Sequence, residues 1–174
     1  MRVPAGFAIA ALFAWFAEPT PGRLAAGAIV ALGGLALRAA SAGHVQKNRR
    51  LATSGPYAYT RNPLYLGSAM GALGLALAGG RWWLFLLVAL FFGAVYVPVM
   101  RREQDHLTAM FGEAYADYAR AVPMFLPRLR PWRGAAAREG RFDPKLYWNN
   151  REYEASFAFV VIVAVLWGKM VWSG

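Results

Sequence analysis

The chain has 174 residues, of which 58% are apolar and only 16% charged, with a formal net charge of +10 and no cysteine. The length fits one domain, and the charged fraction falls well below the ~25% usual in a soluble one. The missing cysteines exclude disulfides, thiolate catalysis and thiolate metal ligation.

The apolar residues are clustered into five runs: 5–17, 24–40, 64–78, 82–100 and 155–168, the last extended past Lys169 to Trp172. A helix crossing the hydrocarbon core needs about 20 residues. Only 82–100 meets this unaided. Trp15, Arg38, Arg61 and Lys169 would extend the other runs by snorkelling. The expected fold class is all-α, a polytopic membrane bundle of about five transmembrane helices. The first run, behind Arg2 and ending in small residues near Ala17, also has signal-peptide features. Glu18-Pro19 follows at once, however, and the reading kept is a span.

Span two carries Gly27, Ala31 and Gly34, and span three carries Gly67, Gly71, Ala72, Gly74 and Ala76. Such small-residue faces let helices approach closely in lipid. Gly79-Gly80-Arg81 then forms a tight hairpin into span four. Beyond Met100 the rhythm is helical but amphipathic: Leu107, Met110 and Phe111, then Tyr115 and Tyr118 past Gly112. This predicts span four continuing out of the membrane, followed by a helix near its surface. Prolines break "PRLRPWRGAAAREGRFDP", and "KLYWNNREYEASFAF" leads back with Trp148 and tyrosines at the interface.

Segments 47–62 and 101–151 hold fourteen of the nineteen basic residues, whereas the intervening loops offer Arg23 and Arg81. This bias places both segments in the cytoplasm, with the amino terminus inside and the carboxy terminus outside. It also draws anionic headgroups to that face. Nucleic acid is not an expected partner: the spans are unnecessary for it, and no zinc-finger or helicase-like pattern occurs.

The stretch "TSGPYAYTRNPLYLGSAMGALG", residues 53–74, combines polar and aromatic groups at the entrance to span three. Gly55-Pro56 favours a turn. Pro63 suits a first helical turn, with Asn62 as its cap. A helix start beside Arg61 suits an anionic group such as a carboxylate. Tyr57, Tyr59 and Tyr65 offer ring faces and hydroxyls. The competing reading is an interfacial aromatic belt with Arg61 on lipid phosphates. Glu103, where span four leaves the bilayer, needs a partner: Arg102, Arg61, or the amino group of a cofactor. His44 and His106 are the only histidines. With no Glu-x-x-His pairing and no cysteine, a catalytic zinc or di-iron site is not expected.

"LATSGPYAYTRNPLYLG" followed by "EQDHLTAMFGEAYADYARAVPMFLP" resembles the membrane methyltransferases that include isoprenylcysteine carboxyl methyltransferases and phospholipid N-methyltransferases. The pattern there is a Gly-Pro-Tyr turn, Arg-His-Pro-x-Tyr-x-Gly, a hydrophobic hairpin, Glu-Glu-x-x-Leu, and Phe-Gly-x-x-Tyr-x-x-Tyr. The likeness covers residues 51–127, within one expected domain 1–174 whose remainder, 128–174, supplies a cytoplasmic segment and the last span. It implies S-adenosylmethionine as cofactor, held by a cytoplasmic helical segment. Gly55, Pro56 and Tyr57 fall on the turn. Arg61, Pro63, Tyr65 and Gly67 fall on the first signature, and Glu103 on the first acid. Leu107, Phe111, Gly112, Tyr115 and Tyr118 fall on the following helix. Three positions depart: Asn62 where histidine is usual, Gln104 where a second glutamate is usual, and Met124 where arginine often follows Val-Pro. Asn62 still donates and accepts hydrogen bonds but takes up no proton at neutral pH.

By this resemblance Arg61, Asn62 and Tyr65 are the expected catalytic residues. Gly55, Pro56, Tyr57, Pro63, Tyr65, Gly67, Glu103 and Tyr115 are the expected cofactor contacts, and no metal is expected. The implied reaction is methyl transfer to a lipid or lipid-linked apolar acceptor at the cytoplasmic face of a bacterial inner membrane. It is most like carboxyl O-methylation of a prenylated cysteine. Phospholipid amine N-methylation, an inactive scaffold of the same fold and a small transporter are the alternatives. The sequence leaves the acceptor and the oligomeric state open.

Overall fold

The computed structural model describes residues 13, 15–46, 49–134 and 140–173. Its helices are α1 Pro21–Ala42, α2 Pro63–Gly79, α3 Trp82–Phe111, α4 Glu113–Ala121, α5 Pro144–Asn149 and α6 Tyr153–Ser173, with a 3-10 turn at Gly55–Ala58. No strand occurs among the described residues. Among the described residues, three helices are long and apolar enough to cross a membrane: Pro21–Ala42, Trp82–Phe111 and Tyr153–Trp172. α2 is also apolar but shorter, at 17 residues. The expected span at 5–17, with its signal-peptide alternative, lies almost wholly outside the described residues; Phe13, Trp15 and Phe16 are helical. Lys47 also lies outside them.

Local chemistry sets the helix ends. The Thr20 side chain accepts from Arg23 N ahead of Pro21, and Pro63 opens α2, where its missing N–H costs nothing. Gly80, at φ 73°, closes the α2–α3 hairpin. α3 contains 30 residues, which span ~45 Å at 1.5 Å each, so it outruns a hydrocarbon core of ~30 Å. The helix runs through Pro98 to Phe111 unbroken, as expected of a span continuing beyond the bilayer. The chain turns at Gly112 (φ 52°) and resumes as α4.

α1 and α2 form the tightest seam. A Cβ on Gly27 would collide with Gly74 O, and one on Gly34 would stand 2.5 Å from Gly67 O. The reverse substitutions, at Gly74 and Gly67, are equally blocked, at 2.5 Å and 2.6 Å. Only glycine lets the two backbones touch there. Large apolar side chains on the outer faces, such as Ile29, Leu90 and Val160, are exposed, which suits contact with lipid.

The hairpin end is closed by Glu18 N donating to Gly79 O at 2.8 Å and by an Arg81–Glu18 ion pair. Leu166 of α6 joins Ala17, Leu24 and Ala78 there. The opposite end gathers most of the basic residues. Tyr115, Tyr118 and Val122 form a buried cluster with Leu51, Leu107, Phe111 and Trp132 around it, the face expected from sequence except that Met110 stays exposed. Segment 122–132 then runs antiparallel to 58–61: Arg61 N donates to Pro123 O at 3.0 Å, Arg128 N to Tyr59 O at 2.9 Å and Trp132 N to Ala58 O at 2.9 Å. The segment before α6 docks on the end of α1. Asp143 N donates to Gly43 O at 3.0 Å, and Asn150 Nδ2 donates to Ala42 O at 3.1 Å.

Candidate active site

The 3-10 turn places Tyr57 inward, because Gly55 takes a φ of 57° that side chains rarely adopt. A Cβ there would meet the His44 imidazole at 2.6 Å. His44 Nδ1 lies 2.7 Å from Ala40 O, so this histidine packs the turn against α1. Pro56 follows as the second residue of the turn. The buried Tyr118 hydroxyl donates to Tyr57 O at 2.7 Å, tying the turn to α4.

Around this turn lies a cavity of about 170 Å³ whose polar lining includes Arg61, Glu103, His106, Tyr57, Tyr115 and Tyr118. Arg61 Nη1 donates to Gln104 Oε1 at 3.2 Å and to the Tyr115 hydroxyl at 3.4 Å. Its Nε is buried without a hydrogen-bond partner, a costly state that a bound acceptor would relieve. Glu103 Oε2 accepts from the Tyr65 hydroxyl at 3.1 Å, where the sequence offered Arg102 or Arg61. Gln104 is the residue bonded to Arg61, so the guanidinium keeps its positive charge uncompensated by that neighbour.

The three tyrosines of the cavity stay protonated at neutral pH. Burial, reinforced by the Glu103 carboxylate, pushes the Tyr57 phenol far up. Burial likewise raises Tyr118 and Tyr115, with the Arg61 bond opposing the rise at Tyr115. These hydroxyls therefore act as hydrogen-bonding groups and not as bases.

Asn62 occupies the position before α2, but its side chain makes no cap bond. Its Nδ2 donates to Met124 O at 2.8 Å, while Thr60 Oγ1 donates to Phe125 O at 2.8 Å. Asn62 thus holds the 122–126 strap. Met124 takes part through its backbone carbonyl, which any side chain there would supply. Pro63 is buried at the helix start. Gly67 lies away from the cavity, facing Gly34 and the Arg38 stem. The fold therefore brings Tyr57, Arg61, Glu103 and Tyr115 onto one cavity, with Tyr65 bonded to Glu103; Gly55, Pro56, Asn62 and Pro63 lie outside its lining, in the turn and helix start that carry Tyr57 and Arg61.

Among the larger cavities of the described residues, one adjoins this site and another is linked to it through a ring contact. A polar cavity of about 510 Å³ lies between the loop after α1 and residues 140–146, and shares Gln46, Arg50, Leu51 and Ala52 with the Arg61 cavity. An apolar cavity of about 470 Å³ opens between α2, α3 and α6 and is lined by Ser68, Phe92, Tyr96 and Ile162 among others. The Tyr65 and Tyr96 rings meet edge to face at 5.6 Å, so Tyr65 bridges from the Glu103 carboxylate to the apolar cavity's wall.

Sequence reasoning passed over one cluster. Arg38, read as a snorkelling residue, donates through Nε and Nη2 to the Glu152 carboxylate, both at 3.0 Å. Its Nη1 donates to Ser68 Oγ at 2.5 Å and to Leu64 O at 3.4 Å. A lone arginine in an apolar run signals such a partner, but the partner lies 114 residues away. No group of three His, Cys, Asp or Glu suited to a metal occurs among the described residues.

The chain is 42% identical over 89 residues to the cobalt-zinc-cadmium resistance protein CzcN of Cupriavidus metallidurans, a match covering 51% of this chain and 41% of that protein. It is 38% identical over 88 residues to the nickel-cobalt-cadmium resistance protein NccN of Alcaligenes xylosoxydans xylosoxydans, again 51% of this chain and 41% of the relative. A protein-S-isoprenylcysteine O-methyltransferase of Schizosaccharomyces pombe is 33% identical over 81 residues, 47% of this chain and 34% of that enzyme. The matches thus span about two fifths or less of these relatives' lengths. No solved structure matches the chain. The profile of the phospholipid methyltransferase family matches residues 25–114, more than half of the sequence, and the chain belongs to that family.

Proposed function

We propose that this protein is an S-adenosylmethionine-dependent methyltransferase that esterifies the carboxylate of a lipid-like acceptor, most like a prenylated cysteine, at the cytoplasmic face of a bacterial inner membrane. The observation that carries this reading is the buried, unpartnered Arg61 Nε in a cavity that shares lining residues with a polar chamber. The residues present fit the cofactor. Glu103 supplies a carboxylate for an ammonium group, Arg61 a donor for a carboxylate, and Tyr57 and Tyr115 supply ring faces and hydroxyls. The Arg61 cavity alone, about 170 Å³, is below the ~300–1,000 Å³ of ordinary ligand sites. The adjoining polar chamber makes up the volume. When bound, the cofactor supplies an electrophilic methyl on a sulfonium.

The chain's own residues do the rest. Arg61 orients an anionic oxygen that is already a nucleophile at neutral pH, so no general base is required. Tyr65 and Tyr96 mark the boundary where an apolar acceptor meets the polar chamber. The strap bonded to Asn62 and Thr60, together with the Arg61 N bond to Pro123 O, fixes the backbone that presents Arg61. One domain, 1–174, carries this activity, with the core at 51–127 and residues 128–174 closing the polar chamber and supplying α6.

The test uses purified protein, S-adenosylmethionine labelled in its methyl group, and total membrane lipid. The expected result is label in the organic phase that mild base releases as methanol, the signature of a carboxyl ester. Base-stable label would instead establish amine methylation. Absence of cofactor binding by calorimetry would leave the inactive scaffold.

A further inference from the structure

We propose that the Arg38–Glu152 pair is a positioning device that seats α6 and so sets the bore of the apolar cavity, making it a determinant of acceptor chain selectivity. This rests on the reading of that cavity as the acceptor's.

Among the described residues, α6 is held towards its two ends, and Lys169 Nζ also donates to Trp15 O. Near the hairpin end Leu166 is fully buried with Ala17, Leu24 and Ala78. At the basic end Glu152 is buried on Arg38. The two anchors are separated by 14 residues, ~21 Å of helix, and between them α6 stands away from α2. The 470 Å³ cavity opens on one side and a second cavity of about 310 Å³ on the other, both lined by Ser68, Ala72, Leu75 and Ile162. The two anchors therefore set the separation.

The anchor at the basic end is closely fitted. Gly67 has no side chain where Arg38 passes; a Cβ there would be 2.7 Å from Arg38 Cγ. Arg151, the residue before Glu152, adopts a φ of 56°. That conformation is strained in a residue with a side chain and persists only where its surroundings enforce it. Here it turns Glu152 inward at the foot of α6, with Asn150 pinned to Ala42 O and Val45 O at 3.1 and 3.3 Å. On the other side, Arg38 reaches Leu64 O and Ser68 Oγ. Leu64 lines the Arg61 cavity and Ser68 lines the apolar one. The pair therefore fixes α6 to the stretch of α2 that joins the two chambers. A bidentate arginine–carboxylate pair holds direction as well as distance, which an apolar contact would not.

Removing one partner leaves a buried charge and endangers folding, whereas removing both is well tolerated. The decisive variant is therefore the double neutral Arg38→Met/Glu152→Leu, checked for folding by thermal unfolding in detergent. The probes are S-alkyl cysteine carboxylates of increasing chain length. In wild-type protein one length is preferred. In the double variant the preference flattens and the acceptor KM rises about tenfold with kcat and cofactor affinity nearly unchanged. Unchanged selectivity and KM would overturn the proposal. A second readout needs no turnover: the protein has no cysteine, so Ile162→Cys is a unique reporter of the cavity. Its reaction with a membrane-permeant maleimide should be several-fold faster in the double variant, and an equal rate overturns the proposal. Should wild-type protein methylate no acceptor, the function proposed above fails, and the reporter still decides the role of the pair.

Discussion

Arg61 shows how much depends on one guanidinium. One nitrogen bridges Gln104 and Tyr115, and another, Nε, is buried and unmatched. Lysine keeps the charge but loses the planar fork. Arg61→Lys should therefore lower kcat/KM by about 10–100-fold, the worth of one charge-assisted hydrogen bond of ~1.5–3 kcal/mol. Methyl transfer at equal folded protein measures this. Full activity would return Arg61 to the lipid headgroups. The sequence placed Arg61, Tyr57, Glu103 and Tyr115 in one neighbourhood, because each lies close to where the chain enters or leaves the apolar runs on the same side of the spans. It did not reveal their pairing. Glu103 is bonded to Tyr65 and Arg61 to Gln104 because these side chains meet across 38 and 43 residues. Asn62 departs from its cap expectation through an equally distant partner: its Nδ2 donates to Met124 O, 62 residues on, and its side chain makes no bond to the helix start.

Among the elements, the α1–α2 seam should be the least forgiving. Gly27→Leu would drive a side chain into the Gly74 carbonyl, and the two helices would have to separate. Overpacking of this kind costs about 1–3 kcal/mol or more, read as a lower thermal midpoint and a lower folded yield in detergent. Gly71→Ala is the control, since nothing lies within 4 Å of the place its methyl would take; it should unfold at nearly the wild-type temperature. The small-residue spacing announced this seam from sequence alone, and the helices it joins were visible as apolar runs. The continuation of α3 past Met100 to Phe111 was legible as well, because the helical rhythm of its amphipathic extension goes on after the apolar pattern has ended.

At the scale of the molecule, residues 49–62, 101–134 and 140–152 come together at one end and the α2–α3 hairpin lies at the other. Single cysteines at Gln46, Arg81 and Arg130, treated with an impermeant thiol reagent in intact cells, test the orientation. Only the Arg81 site should react. Reaction at Gln46 would put the basic end outside and remove access from the cytoplasm for the proposed cofactor.

By itself, the sequence determined the helical membrane class, the hairpin and the basic end, because hydropathy, glycine spacing and charge bias act locally and are written in consecutive residues. It also carried the family, through two short motifs separated by that hairpin. The tertiary structure alone decided which polar groups pair. Arg38 finds Glu152, and Asn62 finds a backbone carbonyl, only once the strap and the last helix have folded back. A buried polar group takes whichever partner the packing delivers within hydrogen-bond reach, and the packing is set by the whole chain.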